Sequence, residues 1–371
     1  MSVGNSGKVF VLALDGATFD LIRPWAEAGK LPLFRKLMAE SAWGELDSTI
    51  PPITPVAWLT FMTGKNPAKH GVFNFFRPVR SDYAAVTPAS ATVNSEKTLW
   101  ELLSERGRKV CVLNVPMTYP PKPVNGSLFA GVPMPTGDMS FSFPDELHDE
   151  LMAQGWDLRK NASFSQGTYE EFLVYLKELV VMRSEVTLYL MQHQAWDFFM
   201  VHHFETDQVA HMYWRFMENE APEHPLHDAM LQLFQCVEAQ LQRILQALPN
   251  DATLLILSDH GVGPVHYHLH LNNWLIEEGF LRWRNDKSTL VRRFGYKLGL
   301  NPTNLYRLIP ESILKRLTLG QTRAEIVKLD REVRSVGGGG SLVKSWFSKL
   351  MRLPFLYFDD IDWSKSVAYS G

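Results

Sequence analysis

Residues 252–263, ATLLILSDHGVG, constrain the fold of this chain more than any other stretch. A short run rich in Leu and Ile ends abruptly in Asp259-His260-Gly261, with Asn250-Asp251 before it and a second glycine, Gly263, after it. That length and those boundaries predict a strand buried on both faces, as in a parallel sheet, rather than a helix. Two other runs end in the same way. Lys8–Leu14 is almost continuously apolar and stops at Asp15-Gly16, and Trp196–Val201 runs into HHFETDQVAHMYW. Open α/β sheets carry their chemistry at the carboxyl ends of their strands. A chain that delivers Asp and His to several such ends is therefore predicted to be α/β, with a site along that edge.

Between these runs, helical spacing begins near Thr18 and recurs over Leu31–Ala42, Thr98–Arg106, Tyr169–His193 and Leu226–Leu248. A strand is predicted over Lys109–Val115, a strand-like segment over Gly44–Ser48, and loops and turns over residues 77–96. With 371 residues, 46% of them apolar, and no low-complexity tract, the chain has room for one large α/β domain and a subsidiary element, or for two ordinary domains. No apolar run approaches the roughly 18 residues needed to span a bilayer. The amino-terminal apolar run ends in Asp15 without a small-residue cleavage site, so it reads as a first strand and not as a signal peptide. Cys111 in a predicted strand and Cys236 in a predicted helix fit reduced core thiols, and a cytoplasmic location is expected.

Charge is distributed unevenly. From Arg282 to Arg352 there are sixteen Lys or Arg against five Asp or Glu, so this stretch carries +11 against −14 for the remainder of a chain whose net charge is −3. It fits either a surface for an anionic partner, such as a membrane, or a solvated helical insertion or lid, with Gly337–Gly340 as a hinge. Zinc-finger spacing, an RNA-recognition signature and a basic-zipper repeat are all lacking, so sequence-specific nucleic-acid binding is not expected. The expected organisation is a core over residues 1–281, a basic helical insertion over 282–353 and a return to the core over 354–371. Val367–Tyr369 reads as the start of a further strand, so a C-terminal part of the domain is expected to be missing.

The chemistry-bearing residues fall at these strand ends and one helix start. Thr54 stands before Pro55 in STIPPITPVAWLTFMTGKNPAKHGVFNFF, where it is either a helix cap or a nucleophilic hydroxyl favoured by the positive end of the helix. Asp207 and His211 are four apart, which puts a carboxylate and an imidazole on one helix face, as an ordinary contact or as a grip on one cation. His266, His268 and His270 alternate as in an extended segment and are either a three-His site or a polar loop. Asn114, Thr118 and Tyr119 follow another strand, as turn chemistry or as pocket lining.

Taken in order, Asp15, Thr54, the Asp207/His211 pair and Asp259-His260-Gly261 resemble the alkaline phosphatase superfamily. The stretch TPVAWLTFMTGKNPAKHG, ending in TG-x-x-P-x-x-HG, resembles the nucleophile segment of its type I phosphodiesterase/nucleotide pyrophosphatase branch and of related phosphohydrolases and phosphomutases. The resemblance implies a three-layer α/β/α sandwich around a mainly parallel sheet, with a helical insertion. It also implies two divalent metal ions, zinc or else manganese. Asp15, Thr54, Asp259 and His260 would bind one ion, and Asp207 and His211 with one more histidine, for which His268 is the candidate, the other. Thr54 would attack phosphorus to give a phospho-threonine, with Asn74 standing near the place of an asparagine that holds the phosphoryl oxygen. The implied substrate is a small phosphodiester, pyrophosphate or phosphomonoester. A phosphomutase, or a truncated metal-binding relative without catalysis whose basic segment meets an anionic partner, is the alternative. Sulfatase chemistry is disfavoured, because Thr54–Trp58 reads TPVAW and lacks that family's Cys or Ser, Pro and Arg pattern.

Overall fold

The computed structural model describes residues 7–79, 82–92, 94, 96–134, 140–160, 168–266, 269, 271–299 and 360–368. Its centre is a six-stranded sheet in the order β6-β5-β4-β7-β1-β8. The strands are β1 (Val9–Leu14), β4 (Val110–Leu113), β5 (Gly126–Phe129), β6 (Ser142–Phe143), β7 (Phe198–His203) and β8 (Thr253–Leu257). All neighbours are parallel except β5 and β6. The adjacent interior strands β7 and β1 are buried almost throughout, which is why their sequences, FFMVHH and VFVLAL, do not alternate.

Helices α1 (Phe19–Glu27), α2 (Pro32–Glu40), α3 (Thr54–Thr63), α4 (Pro67–His70), α5 (Leu99–Glu105), α6 (Glu146–Ala153), α7 (Tyr169–His193), α8 (Glu205–Asn219) and α9 (Ala229–Ala247) accompany the sheet. Together they give the expected α/β/α arrangement. Two helix starts are fixed by capping boxes, in which Thr98 pairs with Glu101 and Thr168 with Glu171. One hydrophobic core unites the strands with α1, α2, α3, α5, α7, α8 and α9. Cys111 in β4 and Cys236 in α9 are free thiols. Among the described residues no helix is long and apolar enough to cross a membrane.

The sequence reading needs three corrections. β8 lies at the sheet edge and is half exposed, with Leu255 42% accessible, instead of being buried on both faces. Gly44–Ser48 forms no strand. Residues 77–96 contain an antiparallel hairpin of β2 (Phe76–Val79) and β3 (Asp82–Pro88), with a register shift at Pro78/Val79. Proline within a run argues against a strand, except at edges and bulges, and a two-stranded ribbon consists of edges alone.

The chain divides into two compact units, one comprising Met1–Phe75 and Ala89–Pro264, the other Phe76–Pro88 and Val265–Gly371. The second unit has its own small apolar cluster of Leu275, Leu281 and Ile361, and contains α10 (Leu271–Glu277) and α11 (Lys287–Lys297). Asp360 fastens α11 to the segment 360–368 by accepting from Thr289 Oγ1 at 2.9 Å and Arg292 Nε at 3.1 Å. Most of the basic stretch and its glycine run lie outside the described residues.

Candidate active site

Asp15 follows the last residue of β1 and is fully buried. Its backbone continues the β1–β7 ladder, with its N–H donating to His203 O at 3.0 Å, while Thr206 Oγ1 donates to its carbonyl at 2.6 Å. The two carboxylate oxygens have different surroundings. Oδ2 accepts from Trp58 Nε1 at 3.0 Å and lies 2.9 Å from His202 Nε2, whereas Oδ1 accepts from Thr54 Oγ1 at 3.2 Å and lies 3.4 Å from His260 Nε2.

Thr54 is the first residue of α3, and Ile53 is its cap. No side chain caps this helix, so the Thr54 hydroxyl is not used on the backbone. It meets Asp15 and, at 3.2 Å, His260 Nε2. Pro55 in the first turn fits the helix start, and Gly64 ends the helix in the left-handed conformation.

Asp259 and His260 come from just beyond β8. Asp259 Oδ1 accepts from Gly16 N at 3.2 Å, its carbonyl accepts from Ser48 Oγ at 2.6 Å, and Ser258 Oγ bridges Ala17 N and His260 O, each at 2.8 Å. The loop after β1 and the loop after β8 are thus tied together. Asp207, in the first turn of α8, is buried, and its Oδ1 lies 3.3 Å from Nε2 of the exposed His211. A ligand atom from each of Asp15, Asp207 and His260 lies within 4.8 Å of the others. Gly16, at φ +63°, permits this convergence, since a Cβ there would stand 3.0 Å from Asp207 Oδ1.

The cluster holds more negative charge than its own cations balance. Burial, and then the Asp207 carboxylate, push the Asp15 carboxyl up to about 7, and burial followed by Asp15 does the same to Asp259. Burial disfavours the His260 cation, but Asp259 and Asp15 outweigh it and raise its pKa. The hydrogen bond to Asp207 raises that of His211. Burial lowers His202 to about 4, so its ring is neutral at pH 7, and against an ionised Asp15 the nitrogen facing it carries the hydrogen. Asp259 Oδ2 is buried without a hydrogen-bond partner. Clustered carboxylates, an orphaned carboxylate oxygen and imidazole nitrogens form a donor set that fits a divalent cation.

Of the other candidates from the sequence, Asn74 is exposed and its side-chain oxygen accepts from Phe75 N at 2.7 Å. His266 is exposed, and His268 and His270 lie outside the described residues. Asn114 and Thr118 are engaged in loop contacts, to Leu158 O at 3.1 Å and to Val115 O at 2.6 Å. The HG pair has a structural explanation. Val72 N–H donates to His70 Nδ1 at 3.2 Å, so Nε2 carries the hydrogen and donates to Thr60 Oγ1 at 3.0 Å, clasping α4 to α3. Sequence reasoning missed Trp58 and His202. Each had a signal, since Trp58 is four residues after Thr54 on one helix face and His202 is the penultimate residue of a buried strand.

Carboxylates, imidazoles and one hydroxyl gathered at the carboxyl edge of a mostly parallel sheet define an α/β protein with a metalloenzyme type of site. The chain belongs to the type I phosphodiesterase / nucleotide pyrophosphatase family, whose pattern matches residues 9–335. Two solved structures of phosphonoacetate hydrolase from Sinorhizobium meliloti 1021, in complex with phosphonoformate and with phosphonoacetate, share its fold at TM-scores of 0.52 and 0.50. They are 16% and 15% identical to it, and the likeness covers 73% of this chain in both cases and 61% and 62% of theirs. The chain thus spans about three fifths of the length of those structures. No curated protein matches it.

Proposed function

We propose that the chain is a divalent-metal-dependent phosphohydrolase that works through a phospho-threonine on Thr54. The observation that carries this reading is the Thr54 hydroxyl, which heads α3 without capping it and meets Asp15 Oδ1 and His260 Nε2, both at 3.2 Å. Asp15, Thr54, Asp259 and His260 would hold one divalent ion, and Asp207 and His211, with His268 as the further ligand, a second. The mixed oxygen and imidazole donors suit zinc first and manganese second. When bound, such ions supply Lewis-acid polarisation of the phosphoryl group and acidify the attacking hydroxyl.

The protein's own residues prepare the nucleophile. Asp15 Oδ1 fixes the direction of the Thr54 O–H, and the positive end of α3 favours negative charge on Oγ1. As the Oγ1–P bond forms, the hydroxyl proton leaves along its hydrogen bond toward Asp15 Oδ1, and the bond from phosphorus to the leaving oxygen breaks with the electron pair going to the leaving group. Water then attacks phosphorus, its oxygen stays on the released phosphate, the Oγ1–P bond breaks and Oγ1 takes up a proton to restore the hydroxyl. Asn74, three residues past Gly71, is the proposed contact for a phosphoryl oxygen. Substrates of this reading are phosphodiesters, pyrophosphates or phosphomonoesters, and the phosphonate named for the fold relative belongs in the test.

The test follows p-nitrophenol release from bis-p-nitrophenyl phosphate and p-nitrophenyl phosphate, and phosphate release from phosphonoacetate. Wild type, Thr54→Ala and Thr54→Ser are compared after reconstitution with zinc or manganese. Turnover should vanish in Thr54→Ala and return in part in Thr54→Ser. Equal turnover in wild type and Thr54→Ala would refute the nucleophile. A metal-loaded wild type that is inert on all three substrates would favour the non-catalytic reading, and phosphoryl transfer to an added sugar phosphate the mutase reading.

A further inference from the structure

Resting on that reading, we propose that Trp58 and His202 are positioning residues that occupy Oδ2 of Asp15 and leave Oδ1 as the one atom of this carboxylate able to bind a cation. Neither residue belongs to the proposed ligand set. Trp58 Nε1 donates to Oδ2 at 3.0 Å and His202 Nε2 lies 2.9 Å from the same oxygen, donating to it once Asp15 is ionised as a cation ligand must be, and both are buried with Asp15. Their rings brace each other edge to face, with centroids 5.0 Å apart and planes at 86°. The two donors come from different parts of the chain, one from the first turns of α3 and one from β7, whose His202 is in register with Ala13 of β1. A carboxylate held in this way cannot rotate about its Cα–Cβ and Cβ–Cγ bonds without breaking two buried hydrogen bonds. Its other oxygen is thereby aimed at Thr54 and His260.

A chemical consequence concerns the kind of metal. Calcium takes roughly six to eight oxygen ligands, with carboxylates bound through one or both oxygens, whereas zinc is satisfied by one oxygen from each carboxylate in a four-coordinate set. With Oδ2 saturated, Asp15 offers a single donor. The clamp therefore both orders the ligand and biases the site toward zinc over calcium.

Metal titrations of purified full-length protein, by calorimetry and by competition with a chromophoric chelator, test this without any substrate. Trp58→Phe keeps the aromatic brace and removes only the N–H. His202→Leu removes the second donor, and His202→Asn returns a donor through its amide. Groups that orient metal ligands typically change affinity about 10- to 100-fold, so Trp58→Phe and His202→Leu should weaken zinc and manganese binding by about that factor. His202→Asn should recover part of the loss, and the ratio of calcium to zinc affinity should rise in Trp58→Phe. Circular dichroism and the metal-free melting temperature identify a variant that fails to fold, and the other position then carries the test. Wild-type affinity in folded Trp58→Phe and His202→Leu would overturn the proposal. Asp15→Asn separates this failure from failure of the site itself. If it also binds as wild type, the ligand assignment is wrong, whereas if it alone loses the metal, only the clamp is wrong.

Discussion

Alanine at position 16 should damage the centre of the molecule out of proportion to the single methyl group it adds. Gly16 has φ +63°, and a Cβ there would lie 3.0 Å from Asp207 Oδ1, 3.1 Å from Val262 Cγ1 and 3.2 Å from the Asp207 Cα. The left-handed backbone costs an L-residue roughly 1–2 kcal/mol. Overpacking at such contacts costs roughly 1–3 kcal/mol more. The backbone atom of Asp207 cannot rotate aside as a side-chain tip can, so relaxation requires the start of α8 to shift. Gly16→Ala should therefore lose roughly 2–5 kcal/mol, a large share of the about 5–15 kcal/mol by which folded proteins are usually stable. Gly261→Ala is the matched control. Its Cβ would meet only Thr18 Cβ at 3.6 Å and Thr18 Oγ1 at 3.7 Å, and its φ lies outside the left-handed region. There, the reduced freedom of the unfolded chain should give a gain of up to about 1 kcal/mol. Urea unfolding of both metal-free variants measures the difference, which should be opposite in sign. A Gly16→Ala midpoint within about 0.5 kcal/mol of wild type at unchanged slope would refute the tight convergence of the β1 and α8 ends.

Two further predictions concern charge. Asp15 and Asp259 are raised from 3.8 to about 7, so the metal-free fold binds these protons more tightly than the unfolded chain does. Their contribution is present in full below about pH 4 and is lost as pH rises through 7. In chelator, the part of the melting temperature set by this pair should therefore fall from pH 5 to pH 8, while zinc affinity rises over the same interval. A chelated melting temperature that climbs across that range would contradict the assignment. Between α7 and the first residue of α8, Arg183 Nη1 lies 3.0 Å from Glu205 Oε1, both buried, and His203 Nδ1 lies 3.4 Å from Oε2. Burial opposes ionisation of Glu205, but Arg183 and His203 together outweigh it and hold the carboxyl down at about 2, so this stabilisation is complete above 4.5 and lost as pH falls toward 2. Arg183→Met or Glu205→Gln should each cost about 3–5 kcal/mol in urea unfolding at pH 7, because a buried charge loses its partner. The double variant should cost less than the sum, and strict additivity would show that the pair does not act as a unit.

Much of the fold was legible because local signals agreed with burial. The long helix was predicted over Tyr169–His193 and is found over those residues, its start set by the Thr168–Glu171 capping box. β1, β7 and the start of α3 were legible for similar reasons, as apolar runs or a proline-marked turn that end where polarity begins. The failures have a common cause. β8 reads as a core strand by composition, yet its place at the sheet edge depends on which strands pair, which no local window contains. The β2–β3 hairpin is obscured because Pro78 falls within β2 and the register shifts at Pro78/Val79, so no clean alternation reveals it. Trp58 and His202 escaped notice because each looks like core, and Trp58 in particular shows its polar edge only once Asp15 is beside it.

Register turns these separate strand ends into one site. In β1, Ala13 lies opposite His202 of β7 on one side and Leu257 of β8 on the other. Each strand therefore leaves the sheet within about two residues of the same line, with Asp15, His203 and Asp259 following in step. Asp259, which receives the Gly16 N–H across 243 residues, reaches Asp15 because β8 pairs directly with β1, and Thr54, 39 residues from Asp15, comes to the same edge at the start of α3. A slip of one residue in either pairing would turn His202 or the β8 end toward the opposite face of the sheet and dismantle the cluster. The fully buried apolar faces of Phe10, Leu12, Phe199 and Met200 oppose such a slip. The same core that stabilises the sheet thus sets which polar groups share its edge, and core substitutions at Leu12 or Met200 should disturb metal affinity as well as stability.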